Sequence, residues 1–352
     1  MTDPIIQDKL NTLFDQTPAQ PLSDDSRIIV FSDLHLGNGG GADDFRRNSN
    51  LFTEAVRRYY AELGFTLILN GDVEELHRFH LRAVRKRWGS VYSLLADLQD
   101  KNRLIKIVGN HDHELFTLPP PSYPLEVVQA VKYRYKGQDI FILHGHQATS
   151  YFDKWNTFSG YFLRYVANPL KIKNRTVAHD SDKKFKTELR AYEFSSKRKI
   201  ITFIGHTHRP LFESHSMIDE LKFKIENHLR NHASAELDQR DTIEEEVREY
   251  RRELSKLYET HDTVSLQSNL YNELIVPSLF NSGCVIGKRG ITGLEITEGR
   301  LSLVHWFDRN ISAEHLTRGE SEPARIDGTD FYRTVLKSDS LAYIFARIRL
   351  LA

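Results

Sequence analysis

Residues 104–112 read Leu104-Ile105-Lys106-Ile107-Val108-Gly109-Asn110-His111-Asp112. A short, largely β-branched apolar run stops at a glycine and gives way to groups that can ligate a metal or move a proton. Runs of this kind, bounded by polar punctuation, suit strands buried on both faces. The same pattern occurs on either side. Arg27–Phe31 leads into Ser32-Asp33-Leu34-His35, and Thr66–Leu69 into Asn70-Gly71-Asp72. Asp139–Leu143 leads into His144-Gly145-His146, and Ile200–Ile204 into Gly205-His206-Thr207-His208. Helical segments such as Asn50–Leu63 and Trp88–Leu98 lie between the runs, so a layered α/β domain is expected. Ligand sites in such sheets sit beyond the carboxyl ends of the strands. Five polar strand ends can therefore meet in one cleft.

The rest of the chain is organised around that core. The expected divisions are an N-terminal arm (1–26), a core (27–212) with a helical cap near 150–190, a helical hairpin insert (213–270), closing core strands (271–309) and a C-terminal tail helix (310–352). The cap reading rests on an aromatic stretch, Tyr151–Tyr165, followed by basic Lys171–Arg190. The hairpin rests on two apolar stripes, Ile218, Leu221, Ile225 and Leu229, then Ile243, Val247, Tyr250, Leu254 and Leu257. Val276–Val285, Ile291–Ile296 and Arg300–Trp306 read as strands, 309–330 as linker, and Phe331–Ala352 as amphipathic helix.

Composition narrows the function. Lys+Arg and Asp+Glu are both 48, for a formal net charge of +0. That balance argues against a nucleic-acid partner, which needs concentrated cations. One cysteine excludes an intramolecular disulfide and a cysteine metal cluster, and points to a reducing, cytoplasmic setting. No run of about 18 apolar residues suggests a membrane span, and Met1–Gln20 lacks a signal-type apolar core. The leucine-rich stripe Leu341–Leu351 is a surface for peripheral membrane contact, for the domain itself or for a second subunit. The hairpin insert is the other candidate surface for a homo-oligomer.

Asp33, His35, Asp72, Asn110, His144, His206 and His208 form an oxygen- and nitrogen-donor set without thiolate. Two divalent ions about 3.5–4 Å apart need about this many protein ligands and a bridging carboxylate. Mixed imidazole and carboxylate donors suit Mn²⁺ best, with Fe²⁺, Zn²⁺ or Co²⁺ next, over Mg²⁺ or Ca²⁺.

Asp-x-His, Gly-Asp, Gly-Asn-His-Asp, His-Gly-His and Gly-His-Thr-His, in this order across residues 33–208, resemble the calcineurin-like metallophosphoesterases. Phe280-Asn281-Ser282-Gly283-Cys284 is similar to that family's closing segment. The resemblance implies a four-layer αββα sandwich and a dinuclear phosphoesterase. Asp33, His35 and His208 would hold one ion; Asn110, His144 and His206 would hold the other; Asp72 would bridge them. A hydroxide bridging the two ions would be the nucleophile, with His111 facing the leaving oxygen and Asp112 orienting its ring. Gly-His-Thr-His-Arg-Pro at 205–210 is also similar to UDP-2,3-diacylglucosamine pyrophosphatases, although Gly71-Asp72-Val73-Glu74-Glu75 and His146 depart from that subgroup. The substrate class implied is a phosphorylated small molecule or a nucleotide-linked compound. A phosphoprotein phosphatase, a nuclease and a non-catalytic metal-binding scaffold are the competing readings.

Residues beside the donor set are weighed individually. Arg78 and Arg82, from the basic run after Asp72, are candidate contacts for an anionic substrate, as is His146. Glu74 and Glu75 read as charges at a helix N-terminus. Asp43 and Asp44 read as exposed loop carboxylates.

Overall fold

The computed structural model describes residues 3–118, 122–149, 181–212, 237–260, 276–317, 319–320 and 322–352, with single positions 225, 228 and 232. The chain forms two compact units. One is Met1–Phe212 with Ser278–Leu350 and Ala352; the other is Glu213–Pro277 with Leu351.

The first unit contains two sheets. β1 (Ala19–Leu22), β5 (Ala130–Tyr135), β6 (Gln138–Leu143), β7 (Ile201–Ile204) and β8 (Leu279–Asn281) form one, in the order β1-β5-β6-β7-β8. The other runs β11-β12-β10-β9-β2-β3-β4. Its strands are β2 (Ile28–Phe31), β3 (Thr66–Asn70), β4 (Leu104–Ile107), β9 (Ile291–Thr297), β10 (Arg300–Asp308), β11 (Ala324–Arg325) and β12 (Phe331–Ser340). Parallel pairing of β2, β3 and β4 matches Ile28 to Thr66 and Ile68 to Ile105. β9 then joins β2 antiparallel, Ile28 opposite Ile296.

Alternation along the strands separates the core into layers. Ile29, Phe31, Leu67, Leu69, Val304 and Trp306 pack with helix α2 (Ser49–Ala55) and helix α4 (Gly89–Asp100). Phe141, Leu143 and Ile204 pack with helix α1 (Pro4–Gln16) and helix α5 (Ser181–Arg198). The intervening Ile28, Val30, Ile68, Ile140, Ile142 and Phe203 are also fully buried and belong to neither cluster. They are the apolar layer between the sheets, crossed by an amide hydrogen bond from Asn70 Nδ2 to the Leu143 carbonyl (2.9 Å). Helices therefore cover both outer faces of a two-sheet sandwich.

The arm expected at 1–26 contains helix α1 and strand β1. Pro4 stands in the first turn of α1, the Asp3 side chain accepts from the Ile5 amide, and Ile6, Leu10 and Phe14 form its buried stripe. The tail read as helix from 310 corrects in part. Residues 331–340 are strand β12, paired with β10 and tied to β9 by Arg333 Nε donating to Glu295 Oε1 (2.8 Å). The open edge of β10 supplies hydrogen-bond partners that outweigh a weak local helical pattern. Helix begins only at Leu341, where the Ser340 hydroxyl caps the Tyr343 amide. It buries Leu341, Ile344, Phe345 and Ile348, with Phe345 stacked on Tyr135. That apolar face thus packs within the unit. No helix among the described residues is long and apolar enough to cross a membrane.

The second unit contains helix α6 (Leu237–Thr260). His228 and His232, each in helical backbone, bond Glu246 (2.8 Å) and Glu244 (3.2 Å). One partner number rises as the other falls, the sense of an antiparallel pair. Ile243, Val247 and Tyr250 are half-buried between exposed neighbours. The aromatic stretch and most of the predicted cap, and most of the hairpin's first arm, lie outside the described residues.

Candidate metal centre

All five predicted strand ends do carry their polar groups to one side of the sandwich. The β2 and β3 loops are zipped together. Asp33, His35 and Leu36 amides donate to the carbonyls of Gly71 (3.1 Å), Asp72 (2.9 Å) and Val73 (2.8 Å). Asp33, His35, Asp72, His206 and His208 all have left-handed backbones, φ between 50° and 64°. Such conformations cost about 1–3 kcal/mol each in non-glycine residues and persist where the surroundings over-determine them. Two glycines are needed for close approach. A Cβ on Gly71 would lie 2.3 Å from the His144 ring, and one on Gly109 would lie 2.1 Å from Asp72 Oδ1.

The donor atoms converge. His208 Nε2 is 3.0 Å from Asp33 Oδ1, and His35 Nε2 is 3.2 Å from His208 Nε2. His144 Nε2 is 3.2 Å from Asp72 Oδ2, and His206 joins these two in a second cluster. The rings are aimed by their other nitrogen. His144 Nδ1–H donates to the Asn70 carbonyl (2.8 Å), which turns Nε2 toward Asp72. Asp33 Oδ1, Asn110 Oδ1, His144 Nε2 and His206 Nε2 are buried without a hydrogen bond. Four such atoms gathered round two buried carboxylates make an arrangement that divalent cations would complete. Backbone amides complete the carboxylates' coordination. His206 N donates to Asp33 Oδ2 (3.0 Å), and His111 N to Asp72 Oδ1 (2.8 Å).

The electrostatics follow. Burial alone would raise the Asp72 carboxyl, but His144 and His111 hold it well below the usual range. Burial depresses His206 to about 3, with His144 adding to the effect. His111 behaves oppositely. Burial opposes its charge, but Glu75 and Asp72 outweigh burial and push it up to about 10.

The ring partner of His111 differs from expectation. Asp112 does not touch the imidazole. It accepts from the Gly109 amide (2.6 Å), the Val73 amide (2.8 Å) and Lys106 Nζ (3.1 Å), so it fastens the Gly109 turn to the Asp72 loop. Glu75 is the partner. Its carboxylate spans His111 Nδ1 (2.9 Å) and His35 Nδ1 (3.0 Å). Glu74 and Glu75 are both buried, and the next helix, α3 (Leu81–Arg87), starts well past them, so neither is a helix-terminal charge. Glu74 instead pairs with the buried Lys106 at 2.9 Å and accepts from Tyr92 (2.8 Å). A signal was present: two adjacent carboxylates follow Asp72 with no helical periodicity directly after them.

The remaining candidates scatter. His146 stands 5.5 Å from the His144 ring and 6.1 Å from His113, its Nδ1 buried without a hydrogen bond. Arg78 pairs with exposed Asp44 at 3.4 Å. Arg82 is exposed on α3, with no hydrogen bond or ion pair to the donor set among the described residues. Asp43 is buried, contrary to its reading as an exposed loop carboxylate. It accepts from the amides of Gly39 (2.6 Å) and Phe45 (3.1 Å) and from the Trp88 indole (3.1 Å). His77, two residues past Glu75, lies against His111, ring centroids 4.3 Å apart.

The family model described as calcineurin-like phosphoesterase matches residues 26–231. No curated protein matches the chain in sequence. Among solved structures, a protein of unknown function from Aquifex aeolicus is 16% identical, covering 53% of this chain and 81% of its own, with a TM-score of 0.29. A single-substitution form of Vps29 from Entamoeba histolytica is 10% identical, over 88% of this chain and 99% of its own, with a TM-score of 0.30. A variant of a cold-active protein tyrosine phosphatase is 12% identical, over 86% and 82%, with a TM-score of 0.36.

Proposed function

Because the chain belongs to the calcineurin-like phosphoesterase family, we propose that it hydrolyses a phosphate ester or pyrophosphate bond with two divalent cations, Mn²⁺ first among them. The observation that carries the reading is the set of four buried donor atoms left without hydrogen bonds around Asp72. Asp33, His35 and His208 would hold one cation, Asn110, His144 and His206 the other, with Asp72 shared. When bound, such a pair supplies Lewis acidity and lowers the pKa of coordinated water.

The chain's own residues do the rest. Glu75 fixes His111 with Nδ1–H donated to its carboxylate, so Nε2 is the atom left to hold a proton. Nε2 is 3.9 Å from Asp72 Oδ2, at the edge of the donor cluster. An imidazolium there can pass its proton to a departing oxygen, provided the ring stays in this tautomer. The substrate is read as a phosphorylated small molecule or a nucleotide-linked compound, the charge balance weighing against nucleic acid.

The test is an assay of the purified chain with Mn²⁺ on p-nitrophenyl phosphate, bis-p-nitrophenyl phosphate, acylated and plain UDP-sugars, a phosphopeptide and single-stranded DNA. Metal-dependent turnover lost in Asp72→Asn and His111→Ala is expected. Failure to bind metal in protein prepared with Mn²⁺ would sink the proposal.

A further inference from the structure

The segment Leu76–Ala96 carries Arg78, Arg82, Arg85, Lys86 and Arg87 and no Asp or Glu, in a chain whose charges cancel overall. Two of these cations are used locally. Arg78 pairs with Asp44, and the Arg87 guanidinium lies 4.2 Å from the Trp88 ring centroid. Arg82, Arg85 and Lys86 are different. Their spacing puts them on one face of α3, where like charges repel. All three are exposed, and none has a carboxylate partner among the described residues; Arg85 donates to the Ser122 carbonyl at 3.3 Å. Elsewhere Arg58, Arg134, Arg198, Arg248, Arg309 and Arg333 each reach a carboxylate.

The three cations do not project from a convex surface. With Tyr92 and Ser122 they line a groove of about 510 Å³, the size of a small-molecule site. Tyr92 is held in place, because its hydroxyl is bonded to Glu74, which is paired with buried Lys106. None of the lining residues belongs to the metal-donor set. Guanidinium forks and an ammonium group around a concavity match tetrahedral oxyanions.

We propose that this groove is a second anion site, which binds a phosphoryl group of an organic phosphate away from the metal centre. That phosphate is either the far end of the substrate or a separate ligand, and the two sources are separable by experiment.

Titration calorimetry of the full, Mn²⁺-loaded chain with imidodiphosphate at low salt is the test. Two binding events are expected in the unsubstituted protein and one in Arg82→Ala/Lys86→Ala, with unchanged circular dichroism. Arg82→Lys/Lys86→Arg should restore the second event. If the metal centre itself fails to bind, the counts become one and none, so the difference still reports on the groove. Equal stoichiometry and affinity in the unsubstituted and Ala variants would overturn the proposal. A raised KM for the best substrate in the Ala variant assigns the phosphate to the substrate; an unchanged KM alongside the lost event assigns it to a separate ligand.

Discussion

Replacing Glu75 by Gln tests the arrangement around His111 most directly. The carboxylate accepts from both His35 Nδ1 and His111 Nδ1, at 3.0 and 2.9 Å, and is 4% exposed. A glutamine of the same shape offers one oxygen and one NH₂ group. One imidazole can keep donating to the oxygen; the other then faces an amide donor and must switch its proton to Nε2. If that ring is His35, its lone pair no longer points at the donor cluster. If it is His111, the ring loses the anion that holds its charge. Losing such an outer partner typically costs 10–100-fold in metal affinity or activity, or about 1.4–2.7 kcal/mol. The assay is kcat on the best phosphoester beside Mn²⁺ affinity by competition with a chelating dye. Asp112→Asn is the control. It leaves the His111 ring partner in place, so it should lower melting temperature and move the pH profile of kcat far less than Glu75→Gln does. Wild-type kcat and metal affinity in Glu75→Gln would refute the reasoning, as would a shifted profile in Asp112→Asn alone.

Three further outcomes are expected. Gly109→Ala puts a methyl group 2.1 Å from Asp72 Oδ1, so metal content measured by elemental analysis should fall even where the protein still folds. Lys106→Met strands the buried Glu74 and Asp112 carboxylates, and should destabilise by about 3–5 kcal/mol in urea unfolding. His305, depressed to about 3 by burial and then by His315, carries a pH effect of defined sign. Its folded pKa lies below the ordinary 6.5, so its contribution is complete above that pH and is lost as pH falls toward 3, at about 1.4 kcal/mol per unit. His305→Phe should flatten the decline of urea midpoints between pH 6.5 and 5.

The parts of the fold legible in sequence were those with a local physical signature. The five strands before polar turns are buried on both faces, and continuous apolar runs announce that. β1 (Ala-Gln-Pro-Leu) and β12 (Phe331–Ser340) are edge or near-edge strands of mixed polarity, defined by pairing with distant segments rather than by their own pattern. The gathering of Asp33, His35 and His208, and of Asp72, His144 and His206, was legible because each sits at a strand end, where position follows from sequence order. Glu75 takes the place expected of Asp112 because orientation of a ring by a carboxylate is decided across loops. His111 and Asp112 are chain neighbours, yet Asp112 turns inward to Lys106 while Glu75, 36 residues earlier, meets the imidazole. Chain adjacency is a poor guide where a turn separates consecutive side chains.

The way the sheets close has a consequence for how this protein comes to exist. β2 finds its antiparallel neighbour in β9, more than 250 residues later. Ser32 meets Ser282 at 2.7 Å, and Asn281 Nδ2 holds the Thr207 hydroxyl between His206 and His208. A ribosome that has made everything up to residue 231, the limit of the family match, has synthesised all seven candidate donors but not the strands that clamp them. Pairings of such long range are slow to form. Until the segment near residue 300 emerges, the nascent chain holds two unfinished sheets with bare edges. A clone cut to the boundaries of the family match should therefore aggregate rather than yield a minimal enzyme, and chaperone demand should last through late translation.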